Sequence, residues 1–425
     1  MNKPWRSLAV FGGLSAFFAA ILVVVAKPLP HVETALPFAA VSHNIPYFLY
    51  LRLAQWAGGL QPSVVMTANG LLALIVCALI FWVAYRIAEP KHQLLRGLMA
   101  MLMFELNPLV IILPLTLGFL GGYLLVPLFL LIFLSVMLSV DHWSAFMRAI
   151  VLSATWSLFL WVHLPAAIIV LVAMIPWVLY NRRPSIAAGT FVTIILLGTA
   201  MFSLLWTAGC LIAQRSSMLH DPLNTLQSMS DYLRLGITTA GTEGPGIFKD
   251  RLVHMIGWLS PFLSILGIGI SAKALIHMFR QRRTGSVDLV ALISLVVLGV
   301  TLLSPGKDTL PGAWYLIMVA AMWSPLVARE LANKEHLFTR PTRILFSMGF
   351  VASCAIVWVV RRDMTGALLP DGGTLLTITA SVLAIGALLH VLLKNHPLPL
   401  ENRVQAYLLG STLGYFVVMD FWLLK

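Results

Sequence analysis

Residues 27–61 read KPLPHVETALPFAAVSHNIPYFLYLRLAQWAGGLQ, and they lie between two apolar stretches, 7–26 and 64–85, each long enough to cross a bilayer. A single carboxylate, Glu33, precedes an aromatic amphipathic run, PYFLYLRLAQW (46–56), which Gly58-Gly59 and Pro62 close off. A polar segment framed by two runs of about 20 apolar residues is an extramembrane loop, so the chain must be threaded through a membrane. Within the loop, Tyr47, Tyr50 and Trp56 suit headgroup depth, and Arg52 and Gln55, three apart, share a wet face. The run therefore predicts an amphipathic helix lying in the interface.

The rest of the chain has the same character. Hydrophobic residues make up 60% of it and charged residues 10%, against about 25% charged in a soluble domain, and the mean hydropathy is +0.92. An ordinary soluble enzyme is excluded. The 28 Lys and Arg against 16 Asp and Glu leave +12. No basic stripe with interleaved aromatics points to nucleic acid, and in a polytopic chain such an excess belongs first to cytoplasmic loops. Cys77, Cys210 and Cys354 each fall inside an apolar span, which predicts packing residues and neither a disulfide framework nor a zinc ribbon.

Apolar runs of membrane length predict an all-α polytopic protein of about 13 transmembrane helices: 7–26, 64–85, 96–113, 118–139, 146–162, 164–180, 186–211, 254–276, 287–303, 311–328, 343–360, 373–393 and 404–424. The first is read as a span because it exceeds the ~7–15-residue apolar core of a cleaved signal peptide. The spans meeting near His163 form a hairpin with almost no loop. With the N-terminus inside, eighteen of the 28 cations, among them Arg86, Arg96, Arg148, Arg329, Arg343 and Arg403, collect on the inner side. That bias satisfies the positive-inside rule and puts 27–63 and 213–253 on the outer face as the two long outer loops. Residues 1–425 are read as a single transmembrane domain with no separate soluble one.

Charged groups inside spans are costly, so they are the first functional candidates. Glu105, in MLMFELNPLV, precedes Asn107-Pro108, where a helix break is expected near the outer leaflet. Asp420, near the end of the last span, is expected to reach the interface. His163 reads as a hydrogen-bonded core histidine. His31, Glu33 and His43 have no recognised zinc spacing, and no nucleophile elbow or metalloprotease helix is present. In the second long loop the cations are Arg215, Arg234, Lys249 and Arg251.

Taken together, these segments resemble the GT-C superfamily of membrane glycosyltransferases, in particular the protein O-mannosyltransferase and aminoarabinose-transferase group. The resemblance rests on Glu33 followed by HNIPYFLYLRLAQWAGG (43–59), on RGLMAMLMFELNPLVIILP (96–114) with its late proline, and on LLSPGKDTLPGAWYLIMVAAMWSPLVAREL (302–331). The sequence departs from the family in having one acidic residue, not a pair, in the first outer loop, and no acidic or basic residue in LPLTLGFLGGY (113–123). The resemblance implies transfer of a sugar from a polyprenyl-phosphate donor to a hydroxyl of a glycan, lipid or protein acceptor. Glu33 would act as general base, and Lys307, Arg251 and Arg215 would meet the leaving phosphate. Tyr315, His43, Tyr47, Arg52 and Glu105 would help hold substrate and membrane lipid. No cofactor is implied, and a divalent cation is left open. The setting expected is a bacterial inner membrane with the site facing the periplasm. Two other readings stay open: an O-antigen-type ligase or polymerase working through Arg215 and His220 of the second loop, and a flippase or transporter with a path lined by Glu105 and Asp420.

Overall fold

A computed structural model describes Tyr50, Trp56 and residues 62–87, 93–115, 124–139, 144–181, 184–212, 245–281, 285–303, 313–332, 340–362, 370–393 and 399–423. Fourteen α-helices, and no strand, occur among them. This is what a lipid environment demands, since a helix satisfies its backbone polar groups internally. In chain order they are α1 (Pro62–Arg86), α2 (Gln93–Glu105), α3 (Pro108–Leu115), α4 (Leu125–Ser139), α5 (Ala145–Val162), α6 (Leu164–Leu179) and α7 (Pro184–Ile212). The second half holds α8 (Pro245–Leu259), α9 (Pro261–Gln281), α10 (Ser286–Leu303), α11 (Ala313–Ala332), α12 (Arg340–Arg362), α13 (Gly372–Leu392) and α14 (Leu400–Leu423). Five are long and apolar enough to cross a membrane by themselves: α1, α7, α9, α12 and α13. The predicted span 7–26 lies outside the described residues.

Two predicted spans are in fact interrupted. The run 96–113 breaks at Asn107, as the Asn-Pro pair suggested. The run 254–276 gives way to two helices meeting at Ser260, whose φ of 68° is left-handed and disfavoured for a side chain with a Cβ. There the Ser260 hydroxyl accepts from the Phe262 amide at 3.2 Å, so the residue that ends α8 also caps α9. The hairpin at His163 is as tight as expected: its amide donates to the Phe159 carbonyl at 2.9 Å, closing α5, and its Nδ1 accepts from the Ala166 amide at 3.0 Å, opening α6.

The middle of the bundle is α11. Residues 316–328 are all buried, as a helix apolar on every side must be, and it packs on α1, α2, α3, α4, α8, α9, α10 and α14. The closest pairing is between α12 and α14, which run parallel. A Cβ added at Gly410 or Gly414 of α14 would strike the carbonyl of Phe346 or Phe350, respectively. Gly410-Ser-Thr-Leu-Gly414 is thus a Gly-x-x-x-Gly face that brings two backbones together.

One end of the bundle is stapled by basic residues. Arg86 donates to the Leu138 carbonyl at 2.8 Å, Arg329 to Ile87 at 3.1 Å and Arg403 to Leu393 at 2.6 Å. Each guanidinium sits at the C-terminus of a neighbouring helix, where the macrodipole favours a cation. Lys273 of α9 joins Glu330 of α11 at 2.6 Å and Glu401 of α14 at 3.2 Å. Cations read as loop charges therefore act as structural ties. Arg96 departs further from expectation: placed among the inner-loop cations, it is fully buried in α2.

Candidate active site

The end of the bundle opposite these staples is organised by α3. Leu106 and Asn107 still donate backwards, to Leu102 and Phe104, but Pro108 has no amide to continue the ladder. Asn107 Oδ1 accepts from the Leu109 amide at 3.0 Å and starts a new helix, with the proline at its first position. The short α3 then reaches α1, α2, α8, α11 and α14, so the break seats about two turns of helix among five others.

Glu105 ends α2 and is 3% exposed. Its carboxyl lies beside the Cys77 thiol of α1, and Oε1 is buried with no hydrogen-bond partner among the described residues, as is Nδ2 of Asn107. At ~1.5 Å per residue, Cys77 lies about 22 Å from the Pro62 end of α1 and about 14 Å from the Arg86 end. Glu105 therefore sits at middle depth, not near the outer leaflet as the sequence suggested. Buried polar atoms are normally paired, which makes this junction a candidate for ligand contact or for a built-in polar latch.

Asp420 also departs from expectation. It is 6% exposed, and neither carboxylate oxygen has a hydrogen-bond partner. Beside it on α14, exposed Phe421 and half-buried Trp422 meet Trp358 of α12 with tilted rings. The α14 helix is fixed here by Tyr415, whose hydroxyl donates to the Gly257 carbonyl of α8 at 2.8 Å.

Arg251, expected to meet a phosphate, lies on α8 and donates through Nη1 to the Leu302 carbonyl at 3.2 Å, in the last turn of α10. Its Nε is buried without a hydrogen bond, and so is Nδ1 of His254, one turn further along α8. Arg251 thus has a helix-capping role and a remaining donor. Nearby, Val253 faces Gly372 at the start of α13, where Asp371 accepts from the Thr374 amide at 2.7 Å. That amide holds the Asp371 carboxyl below the usual carboxylate range. Of the first outer loop, Tyr50 and Trp56 are described, both with helical backbone. Trp56 is 88% exposed, as a headgroup anchor would be, and the Tyr50 hydroxyl donates to Asn69 Oδ1 of α1 at 3.1 Å.

Glu33, His43, Tyr47, Arg52, Arg215 and Lys307 lie outside the described residues, and so does the side chain of Tyr315, on the first turn of α11. The helices that carry Arg251 and Glu105, α8 and α2, both touch α3. Asn69, His254 and Asp371 join that half of the bundle without having been singled out by sequence, although Asp371-Gly372-Gly373-Thr374 carried a capping signal; Asn107 was read there as a helix break and adds a cap. Among the described residues no three His, Cys, Asp or Glu side chains converge on a metal-sized site.

In sequence, no family model and no curated protein matches this chain. In structure it is similar to ArnT from Cupriavidus metallidurans, solved bound to undecaprenyl phosphate, with 13% identity, a TM-score of 0.52, and 99% of this chain and 77% of that one covered. Such a likeness is one of fold, and the all-α, polytopic membrane fold expected from the sequence is the fold this chain shares with it.

Proposed function

We propose that the chain is a GT-C-type membrane glycosyltransferase that moves a sugar from a polyprenyl-phosphate donor to a hydroxyl acceptor on the outer face. The observation that carries this reading is the fold shared along nearly the whole chain with a protein solved holding undecaprenyl phosphate. The sequence resemblance at Glu33, 43–59 and 302–331 points the same way.

In this reading the acceptor hydroxyl attacks the anomeric carbon of the donor. A new carbon–oxygen bond forms as the bond from that carbon to the phosphate oxygen breaks, and polyprenyl phosphate leaves. Glu33 takes the hydroxyl proton, the general-base role open to a carboxylate at the membrane surface. Negative charge grows on the departing phosphate, and cations fixed beside it stabilise the transition state more than the ground state. Lys307, Arg251 and Arg215 supply them. Tyr315, His43, Tyr47 and Arg52 hold the donor and its lipid, and Glu105 acts from behind the α2–α3 junction. The acceptor is a glycan, lipid or protein, and the setting that fits outer-face chemistry is a bacterial inner membrane with the site toward the periplasm.

The test is transfer by the purified full chain from a panel of short-chain polyprenyl-phosphate sugars, with and without EDTA, comparing the native protein with Glu33→Gln. Glutamine keeps the shape and removes the base. Activity with one donor, lost in the variant while donor binding persists, is the expected result. Transfer that survives Glu33→Gln but disappears in Arg215→Ala or His220→Ala overturns the assignment in favour of ligase chemistry in the second outer loop.

A further inference from the structure

Away from the α3 region, at the basic end of the bundle, a cleft of about 600 Å³ opens between α12 and α13. Its walls are Ile344, Met348, Val351 and Ala352 of α12 with Ile385 of α13, and Arg343 and Ser347 are its polar members. Ile344, Met348 and Val351 are exposed on helices that are themselves membrane spans, so the cleft faces lipid. α12 begins at this end because it runs parallel to α14, whose first turns carry Glu401 and Arg403 among the basic staples.

Two observations distinguish this cleft from a bare apolar face. Arg343 is exposed and has no hydrogen-bond or ion-pair partner among the described residues, whereas Arg86, Arg329 and Arg403 at the same end are all spent on helix carbonyls. Ser347, one turn along the same face and exposed, likewise has no hydrogen-bond partner among the described residues. The lipid-facing Thr190, Thr193, Ser203 and Thr207 of α7 each fold back onto the carbonyl four residues earlier. A hydroxyl in hydrocarbon normally takes that internal acceptor. Guanidinium, hydroxyl and apolar wall follow one another at positions 343, 347 and 351, about 12 Å along the helix. An amphiphile with an anionic head and an acyl chain has that order of chemistry.

We infer that this cleft binds one anionic phospholipid of the inner leaflet, its phosphate on Arg343, an ester oxygen on Ser347 and an acyl chain along Met348, Val351 and Ile385. A volume of about 600 Å³ falls in the range of small-molecule sites, and the positive-inside bias puts this end in the leaflet where anionic headgroups attract basic side chains. The cleft lies at the end of the bundle opposite α3, and lipid binding there does not depend on the proposed transfer reaction.

The experiment is native mass spectrometry of the full chain released from mixed micelles containing phosphatidylglycerol or phosphatidylcholine, with thermal midpoints read in parallel. Wild type should retain one phosphatidylglycerol and gain stability from it. Arg343→Gln should bind it about fivefold more weakly, the equivalent of about 1 kcal/mol for one basic residue. Val351→Trp, which fills the cleft and leaves the charge, should lose the same adduct. Equal retention of both lipids, or an unchanged adduct in both variants, overturns the site. Displacement of the phosphatidylglycerol by equimolar short-chain polyprenyl phosphate overturns the choice of occupant.

Discussion

The Tyr415 hydroxyl donates to the Gly257 carbonyl at 2.8 Å and ties the last helix to the α8–α9 break. Gly257 lies in the final turn of α8, three residues before the left-handed Ser260, where its carbonyl has no onward helical amide to accept from. The fully buried ring also meets Phe262 edge-on with centroids 6.5 Å apart, so one side chain spans both halves of the broken helix. Tyr415→Phe keeps that packing and leaves a buried carbonyl unpaired. The expected cost is about 1–3 kcal/mol, read as a lower unfolding midpoint in detergent. Because α8 also carries Arg251, sugar transfer should fall in the same variant.

The Gly410–Gly414 face makes a sharper prediction. Gly410→Ala and Gly414→Ala each place a methyl against an α12 carbonyl, which cannot swing aside as a side-chain end could. Each should destabilise by about 1–3 kcal/mol. Gly189→Ala and Gly269→Ala are the controls: nothing lies within 4 Å of either new Cβ, and removing a mid-helix glycine should add up to about 1 kcal/mol. A common response from all four would disprove close backbone packing as the cause.

The contrast between these glycines shows where sequence reading stops. Apolar runs tell which segments enter the membrane, and the spans, the His163 hairpin and the Asn107 break were legible on that basis. They do not tell which way a span faces, since a helix such as α13 is apolar on every side and buries only one. For that reason Arg96 was counted as a loop cation and Asp420 was placed at the interface, although both are buried. The Ser260 break was missed because the run through it is unbroken in hydropathy; Ser260-Pro261 was its only mark. The Gly-x-x-x-Gly at 410–414 was visible and passed unread, since its partner helix could not be named from sequence.

Asp371 makes stability at the start of α13 depend on pH. The carboxylate accepts from the Thr374 amide at 2.7 Å, which holds its pKa below the usual value. A carboxyl depressed in the folded state contributes its full stabilisation above the unfolded value of about 3.9 and loses it as pH falls through the folded value. Asp371→Ala should therefore unfold earlier than wild type at neutral pH, and the gap should close on acidification below about pH 4. Asp371→Asn, which keeps a capping oxygen but cannot titrate, should hold its stability where wild type begins to lose it. Unfolding midpoints across a pH series would read all three curves.

At the α2–α3 junction, stability and activity should part company. A buried carboxyl set beside a thiol, with Oε1 unbonded among the described residues, is costly to maintain. If Glu105 serves the reaction, that cost is retained for function. Glu105→Gln keeps the volume and an acceptor for Cys77, so it should be as stable as wild type or more so, while kcat/KM falls at least tenfold. If the carboxyl is instead a latch between α1 and α2, the loss should appear in the unfolding midpoint. Cys77→Ala, which removes the thiol that Glu105→Gln still faces, should then show it. Cys77→Ser, which preserves a donor, separates the two outcomes further: it should restore a latch and should leave a catalytic defect at Glu105 untouched. Measuring midpoints and transfer rates on the same preparations decides whether the mid-depth carboxyl belongs to the chemistry or to the scaffold that supports it.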